Sequence, residues 1–136
     1  MKQKNGFTMM EILVVILIVA ILAAIGIPSY LNYVTKGRRN DAIHSLLGIQ
    51  LEQEKWRLNN NTYGTLNDVW GGVTATEGGF YTLAVTSNTA TAYTLTATTT
   101  GSQVGDSEDG TSCNVLTLTN NNGAVTKTPA VCWNEG

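Results

Sequence analysis

The chain has 136 residues, a formal net charge of −2, two cysteines and one histidine. This length suits one small folded domain plus an additional terminal segment. The single histidine, His44, argues against a Ser-His-Asp triad, and the chain has neither a phosphate-binding glycine loop after a strand nor a recognisable pair of catalytic carboxylates. We therefore expect neither enzyme activity nor a cofactor.

The first predicted element is an apolar helix over residues 7–28. From Phe7 to Ile27 the only ionisable side chain is that of Glu11. At 1.5 Å per residue, a helix of this length spans roughly 30 Å, the hydrocarbon thickness of a bilayer. Lys2 and Lys4 precede it without a neighbouring acid, so the positive-inside bias keeps the N-terminus in the cytoplasm and sends the rest of the chain across the membrane.

A buried core helix and a secretory signal peptide are the alternative interpretations of this segment. A core helix usually has a polar stripe, whereas this segment is apolar around nearly its whole circumference. The apolar region of a signal peptide is shorter and is followed by a small-x-small cleavage site. A plain membrane anchor does not explain Glu11, because a carboxylate inside a bilayer is costly and normally indicates a function with a cationic partner.

The segment GFTMMEILVVILIVAILAAIGIPSY, which begins at Gly6, resembles the N-terminus of type IV pilins. That family has a short basic leader ending in Gly, then Phe-Thr-x-x-Glu and a long apolar run. The resemblance implies that residues 1–6 are a leader peptide, that a prepilin peptidase cuts between Gly6 and Phe7, and that Phe7 is N-methylated. It also implies that Glu11 pairs with the terminal amine of a neighbouring subunit during assembly, and Pro28 matches the family pattern as well.

Residues 29–58 are predicted to continue the helix as an amphipathic half outside the membrane. Spacings of three, four or seven gather one set of apolar residues on one side, and a second set lies beside it. The first set is Ile43, Leu46, Leu47, Leu51 and Leu58; the second is Ala42, Ile49 and Trp56. This broad arc packs under a sheet or, in part, against neighbours in a fibre.

A basic cluster lies directly after the membrane segment and consists of Lys36, Arg38 and Arg39. We expect it to meet anionic lipid headgroups or acidic groups of neighbouring subunits.

The remaining residues predict a connecting loop followed by a sheet. Residues 59–79 are rich in Asn, Gly and Thr and predict an ordered loop. The hydrophobic period then changes to two over 81–85, 93–97 and 115–119, and Asn122-Gly123 is a strong hairpin signal before 124–128. The predicted fold class is α+β: a long N-terminal helix packed against a roughly four-stranded antiparallel sheet, with the sheet head in residues 80–136 and a C-terminal disulfide loop.

The disulfide is expected between Cys113 and Cys132, because an oxidising compartment favours pairing and no nearby histidine suggests a metal site. The ending CNVLTLTNNNGAVTKTPAVCW resembles that of small minor pilins of type IVa systems. The resemblance implies that residues 113–132 form the D-region, which shapes subunit contacts and, in some members, adhesion or the initiation of assembly.

Two further binding functions are weighed on charge. The stretch GDSEDG, residues 105–110, lacks the EF-hand pattern and predicts a solvated acidic loop. The alternative is a calcium site, which some pseudopilins of type II secretion have in this part of the chain. From Glu52 onward the chain has eight acidic and three basic residues, which disfavours direct DNA binding by the head.

The two resemblances together imply a type IV pilin subunit that is polymerised into an extracellular pilus for adhesion, twitching motility or DNA uptake, with a minor pilin favoured. The implied partners are other pilin subunits, the prepilin peptidase and the inner-membrane pilus assembly machinery. Before assembly the chain would reside in the bacterial inner membrane as a single span. A major pilin, a pseudopilin of a type II secretion system, and a DNA-binding or adhesive tip pilin are the alternatives.

Overall fold

A computed structural model describes residues 6–134. The predicted leader therefore lies outside the described residues except for Gly6. The chain forms two compact units, the first reaching Val34 and the second beginning at Thr35. Helix α1 (Met9–Arg57) contributes residues to both units.

The first unit contains the apolar part of α1. The helix begins after Thr8, whose hydroxyl and carbonyl oxygens accept hydrogen bonds from the backbone N–H of Glu11 at 3.3 and 3.1 Å. Threonine suits this position because its side chain satisfies an N–H that has no partner within the helix. Pro28 lies inside α1, which continues beyond it. By length and composition α1 can cross a membrane, and its apolar side chains in this unit are largely exposed.

The second unit contains a four-stranded antiparallel sheet against the remainder of α1, which confirms the predicted α+β class. Its strands are β1 (Tyr81–Asn88), β2 (Ala92–Thr99), β5 (Val115–Asn121) and β6 (Ala124–Thr128), in the order β1-β2-β5-β6. A small hairpin of β3 (Ser107–Glu108) and β4 (Thr111–Ser112) lies between β2 and β5 in sequence. Short 3₁₀ segments span Gly101–Gln103 and Ala130–Trp133.

The core forms between one face of the sheet and one stripe of α1. The alternation predicted for the strands is confirmed, because Leu83, Leu95 and Leu118 are fully buried while the threonines between such positions line the opposite face. The other buried residues of this core include Ala42, Ile43, Leu46, Ile49, Tyr81, Tyr93, Ala97 and Leu116. The Asn122-Gly123 hairpin is confirmed as well, and both residues have positive φ angles, 51° and 85°.

The buried stripe of α1 differs from the predicted one. Leu51 and Leu58, both predicted on the apolar face, are 57% and 84% exposed, and Leu58 follows the last residue of α1. The buried positions include four of the predicted ones, Ala42, Ile43, Leu46 and Ile49, together with the polar residues Arg39 and Gln53. Hydropathy missed these two members of the face because they are polar and are buried through specific hydrogen bonds.

The segment 59–79, predicted as an ordered loop, contains a short helix, α2 (Leu66–Trp70). Thr65 caps it through a reciprocal pair: the Thr65 hydroxyl accepts from the backbone N–H of Asp68, and the Asp68 carboxylate accepts from the backbone N–H of Thr65. Gly71 ends it with a φ of 64°, a left-handed conformation that glycine adopts readily. The Thr-x-x-Asp capping pattern is present in the sequence, but five helical residues beside it are too few to show a helical period.

Candidate functional site

The N-terminal residues around Glu11 form the first part of the candidate site. Phe7 is 79% exposed, and Gly6 has open space around its α-carbon. Glu11 lies in the first turn of α1, and within residues 6–134 no cation forms a salt bridge with it. An acid in an apolar helix can therefore accept a cation from another chain. Cleavage at Gly6-Phe7 and the pairing of Glu11 stay predictions.

A buried ion pair between α1 and the acidic loop forms the second part. Arg39 is only 3% exposed, and its guanidinium donates from Nη2 to Oδ1 of Asp106 at 2.6 Å and from Nε to Oδ2 at 2.8 Å. This fork geometry is the strong bidentate form of an arginine–carboxylate pair. The pairing raises the pKa of Arg39 further above its ordinary value. The prediction that residues 105–110 form a solvated loop is wrong for Asp106, which is buried.

Glu108 extends the same network toward the surface. Its carboxylate accepts from Nη1 of Arg39 at 2.8 Å and from Nζ of Lys36, also at 2.8 Å. The hydrogen bonds from Lys36 and Arg39 lower the pKa of Glu108 below its ordinary value. Lys36 and Arg39 were expected to meet lipid headgroups or neighbouring subunits, but their partners are carboxylates of the same chain. The reason is that Asp106, directly before β3, and Glu108, within β3, both lie against α1.

Two uncharged side chains complete the surroundings of Asp106. The Tyr81 hydroxyl donates to Oδ2 of Asp106 at 3.0 Å and accepts from Nε2 of Gln103 at 3.2 Å. Gln103 Nε2 also donates to the backbone carbonyl of Thr35 at 3.1 Å. Burial raises the pKa of the Tyr81 hydroxyl, which therefore remains protonated and can donate. The segment around residues 101–108 is thus joined to α1 by charged and neutral contacts together.

The third member of the basic cluster, Arg38, has a different role. Its guanidinium carbon lies 3.7 Å from the centre of the Phe80 ring, and Nη1 donates to the Ser102 hydroxyl at 3.2 Å. A guanidinium stacked on an aromatic ring gains a cation–π contribution. All three basic side chains of the cluster therefore contact other residues of the second unit.

The two cysteines form the predicted disulfide. Cys113 and Cys132 are bonded, and both are fully buried. The bridge joins the residue that precedes β5 by two positions to the 3₁₀ segment after β6, so it encloses the last hairpin of the sheet.

The residues considered for metal binding are not arranged around a common point. In the described part of the chain, no three His, Cys, Asp or Glu side chains are grouped closely enough to bind a metal ion. His44 is exposed on α1, while Asp106 and Glu108 are engaged by Arg39 and Lys36.

Comparison with known proteins gives two family matches that together extend from residue 1 to residue 117. A family model described as "Type IV minor pilin ComP, DNA uptake sequence receptor" matches residues 28–117. A model of the prokaryotic N-terminal methylation motif matches residues 1–27.

Curated relatives match over shorter stretches. Prepilin peptidase-dependent protein D of Escherichia coli strain K12 is 47% identical over 47 residues, which is 35% of this chain and 32% of that protein. Type II secretion system core protein G of Aeromonas hydrophila is 30% identical over 64 residues, or 47% of this chain and 45% of that protein. The corresponding protein of Pectobacterium carotovorum is 31% identical over 61 residues, 45% of this chain and 39% of its own length. The chain thus spans between 32% and 45% of the length of these relatives.

Proposed function

Because the chain belongs to the family of type IV minor pilins described as ComP, DNA uptake sequence receptor, we propose that it is a minor pilin subunit of an extracellular filament. Before assembly the subunit is anchored in the inner membrane by the apolar part of α1. Assembly machinery in that membrane then transfers it into the filament, where neighbouring pilin helices replace lipid around the same side chains. The observation that carries this proposal is an exposed apolar helix with one acid, Glu11, in its first turn.

Processing is the first step of the proposed function. A prepilin peptidase cleaves between Gly6 and Phe7, and the new amine of Phe7 is then methylated. The match to the N-terminal methylation motif over residues 1–27 supports this step. Gly6→Val places a branched side chain next to the cut bond, so we expect full-length protein to remain in the membrane. Mass measurement of the purified variant tests this, and Phe7 at its N-terminus would contradict the proposed junction.

Assembly depends on the charge of Glu11. After cleavage, the amine of Phe7 on a neighbouring subunit supplies the cation that Glu11 lacks among the described residues of its own chain. A carboxylate and an amine that are both poorly solvated gain most when they are joined, and each is costly when left alone. The pair therefore favours subunits that join in register.

The variant Glu11→Gln tests this mechanism because it keeps the size of the side chain and removes the charge. We expect normal insertion and cleavage but loss of crosslinking to partner pilins in the membrane, since an amine is left unpaired on assembly. Glu52→Gln is the matched control, because it makes the same chemical change on the exposed part of α1 in the second unit.

The readout must be a binary contact with each partner pilin at equal expression. A minor subunit could otherwise be carried into the filament by intact glutamates of its neighbours. If Glu11→Gln crosslinks as well as the parent chain, the charge pair is not needed for assembly.

The alternatives within the same class differ in abundance and in the system served. Similarity to proteins named type II secretion system core protein G supports a pseudopilin of such a system as one alternative. Sheared and purified filaments distinguish the cases: trace amounts indicate a minor pilin, high abundance a major pilin, and dependence on a secretion system a pseudopilin. Deletion of the gene tests the biological role: loss of adhesion or of twitching motility would assign that property to this subunit.

A receptor for DNA is the second candidate function, favoured by the description of the family that matches residues 28–117. Charge argues against a strong phosphate-binding surface, because Lys36 and Lys55 are in ion pairs, Arg39 is buried and Arg57 donates to backbone carbonyls. A duplex-binding titration at several salt concentrations tests it. Binding that weakens steeply with salt would support the receptor function over a purely structural role.

A further inference from the structure

The turn between β5 and β6 contains an asparagine followed by a glycine, Asn122 and Gly123, and both residues are exposed. Asparagine–glycine sequences are chemically reactive, because the backbone nitrogen that follows the asparagine can attack the side-chain amide. Glycine makes this attack easiest, since it has no β-carbon to hinder the nitrogen, and the space around the α-carbon of Gly123 is open. The turn is therefore a candidate modification site that needs no partner protein.

The reaction is a deamidation, and water is its only co-reactant. The backbone nitrogen of Gly123 loses its proton and bonds to Cγ of Asn122, the bond from Cγ to Nδ2 breaks, and ammonia leaves with that proton. Water then opens the resulting five-membered succinimide ring at either of its two carbonyl carbons. One product has aspartate at position 122, and the other has isoaspartate, in which the backbone runs through the former side chain. No atom is oxidised or reduced.

The closed turn keeps the attacking nitrogen away from its target. Asn122 and Gly123 both have positive φ angles, 51° and 85°, as a type I′ turn requires. Such a turn has a ψ angle of about 30° at its first central residue, which points the Gly123 nitrogen away from the β-carbon of Asn122. Ring closure therefore requires a large rotation about the Cα–C bond of Asn122, and this rotation opens the turn.

A buried side chain, Asn120, holds the turn in its closed form. The backbone N–H of Gly123 donates to Oδ1 of Asn120 at 2.9 Å, so the nitrogen that would attack is already engaged. Asn120 is 3% exposed, and its Nδ2 donates to Oε1 of Glu54 at 3.0 Å, which anchors it to α1. The backbone N–H of Asn122 donates to the carbonyl of Thr91 at 2.8 Å, which holds the turn against the β1–β2 connection.

We propose that Asn122 is a deamidation site that reacts when the β5–β6 hairpin opens, and that Asn120 is the residue that keeps it closed. The modification then records opening of the hairpin, because neither product returns to asparagine. Both products add a negative charge at the turn. Isoaspartate also adds a backbone atom, so the two-residue turn that joins Asn121 to Ala124 is lost. The inference is independent of filament assembly, because it uses only residues of the second unit.

The first test compares the folded and the denatured parent chain. Full-length protein in neutral detergent micelles, with or without denaturant and reductant, is kept at mildly alkaline pH and mapped by peptide mass spectrometry. Asn5 also precedes a glycine, so the mapping must separate the two sites. We expect Asn122 to react at least about tenfold more slowly in the folded chain, because local opening of the hairpin costs free energy. Equal rates in the two states would overturn the proposal.

Asn120→Ala tests the hydrogen bond to Gly123. Without Oδ1 the turn opens more often, and we expect deamidation of Asn122 in the folded chain to rise by about fivefold, as the loss of one hydrogen bond predicts. Asn121→Ala is the matched control, because Asn121 is exposed and its Oδ1 accepts from the side chain of Asn122 instead. Its rate should stay close to that of the parent. An unchanged rate in Asn120→Ala, or equal increases in both variants, would contradict the role of Asn120.

Rates in denaturant separate the effect of this hydrogen bond from loss of the fold. There the parent, Asn120→Ala and Asn121→Ala should deamidate at the same rate, because the hydrogen bond exists only in the folded chain. A folded-state rate for Asn120→Ala between the folded and denatured rates of the parent supports the proposal. A rate equal to that of the denatured parent would show that the whole fold, and not this side chain, keeps the site closed. Different rates among the denatured chains would assign the effect to local sequence and would also contradict the proposal.

Discussion

Arg39 is a charged residue at a buried position of α1. Burying a guanidinium is tolerated only because Asp106 and Glu108 accept its hydrogen bonds. The network therefore specifies how α1 and the β3–β4 hairpin meet, since any other arrangement leaves a charge without a partner.

Removing the guanidinium should destabilise the second unit strongly. In Arg39→Met the carboxylate of Asp106 stays buried without its cation, and we expect a loss of about 3–5 kcal/mol in the free energy of unfolding. Lys36→Met is the matched control, because it removes only the exposed partner of Glu108 and should cost less than about 1 kcal/mol. Urea unfolding followed by near-ultraviolet circular dichroism measures both, and equal losses would show that burial of the charge does not matter.

Acid should weaken the same network through Glu108. Its folded-state pKa lies below the ordinary value of 4.5, so the stabilisation is complete above that value and is lost as the pH falls through the folded-state value. We expect the unfolding free energy of the parent chain to fall more steeply on acidification than that of Glu108→Gln. Unfolding curves at a series of pH values below neutrality measure the difference. Parallel pH profiles would contradict the role of Glu108.

The sequence contains every residue of this network but does not show that these residues pair with one another. Arg39 and Asp106 are separated by 67 positions, and periodicity reports only near neighbours. Clustered charges usually lie on the surface. The sequence therefore predicts partners outside the chain for Lys36 and Arg39, either lipid headgroups or neighbouring subunits. The Asp109-Gly110 pair, whose φ angles are 48° and 76°, was the available signal for a hairpin that returns the acids to the helix.

At the scale of elements, α2 depends on its cap because it has only five residues. Thr65→Ala removes the hydroxyl that accepts from the backbone N–H of Asp68, and we expect the free energy of unfolding to fall by about 1 kcal/mol. The pKa of Asp68 is lowered mainly by hydrogen bonds from Thr65, so NMR titration should show it moving back toward the ordinary value in the variant.

Thr62→Ala is the control for this substitution, since Thr62 is exposed and belongs to the same connecting segment. An unchanged titration of Asp68 in Thr65→Ala would show that the reciprocal cap does not form in solution.

The strands were predictable and the connecting segment was not, for physical reasons. Strands β1, β2 and β5 each have alternating buried positions, so a period of two appears in the sequence. A helix of five residues is too short to show its period among Asn, Gly and Thr. The buried face of α1 was predictable only for its apolar members, because Gln53 is held in the core by two hydrogen bonds with the Gly64 backbone rather than by hydrophobicity.

For the whole molecule, the disulfide limits the freedom of the unfolded chain. The bridged residues are 19 positions apart, and closing a loop of this size should contribute about 3 kcal/mol in the chain-entropy model. The double variant Cys113→Ser, Cys132→Ser should lose stability by about that amount. Intact-mass measurement with and without reductant checks the bridge in the parent chain, and two free thiols after export would contradict it.

The distance along the chain between Arg39 and Asp106 also bears on how the protein is made. A ribosome releases the N-terminal residues first, so the guanidinium emerges long before its carboxylate has been synthesised. Until then the Arg39 guanidinium must remain hydrated, so β1 and β2 cannot complete their packing against this part of α1. The sheet is still incomplete once the β3–β4 hairpin has been synthesised, because β5 and β6 follow it in sequence and β2 pairs with β5. Completion of the head is therefore a single late event that waits for the C-terminal strands.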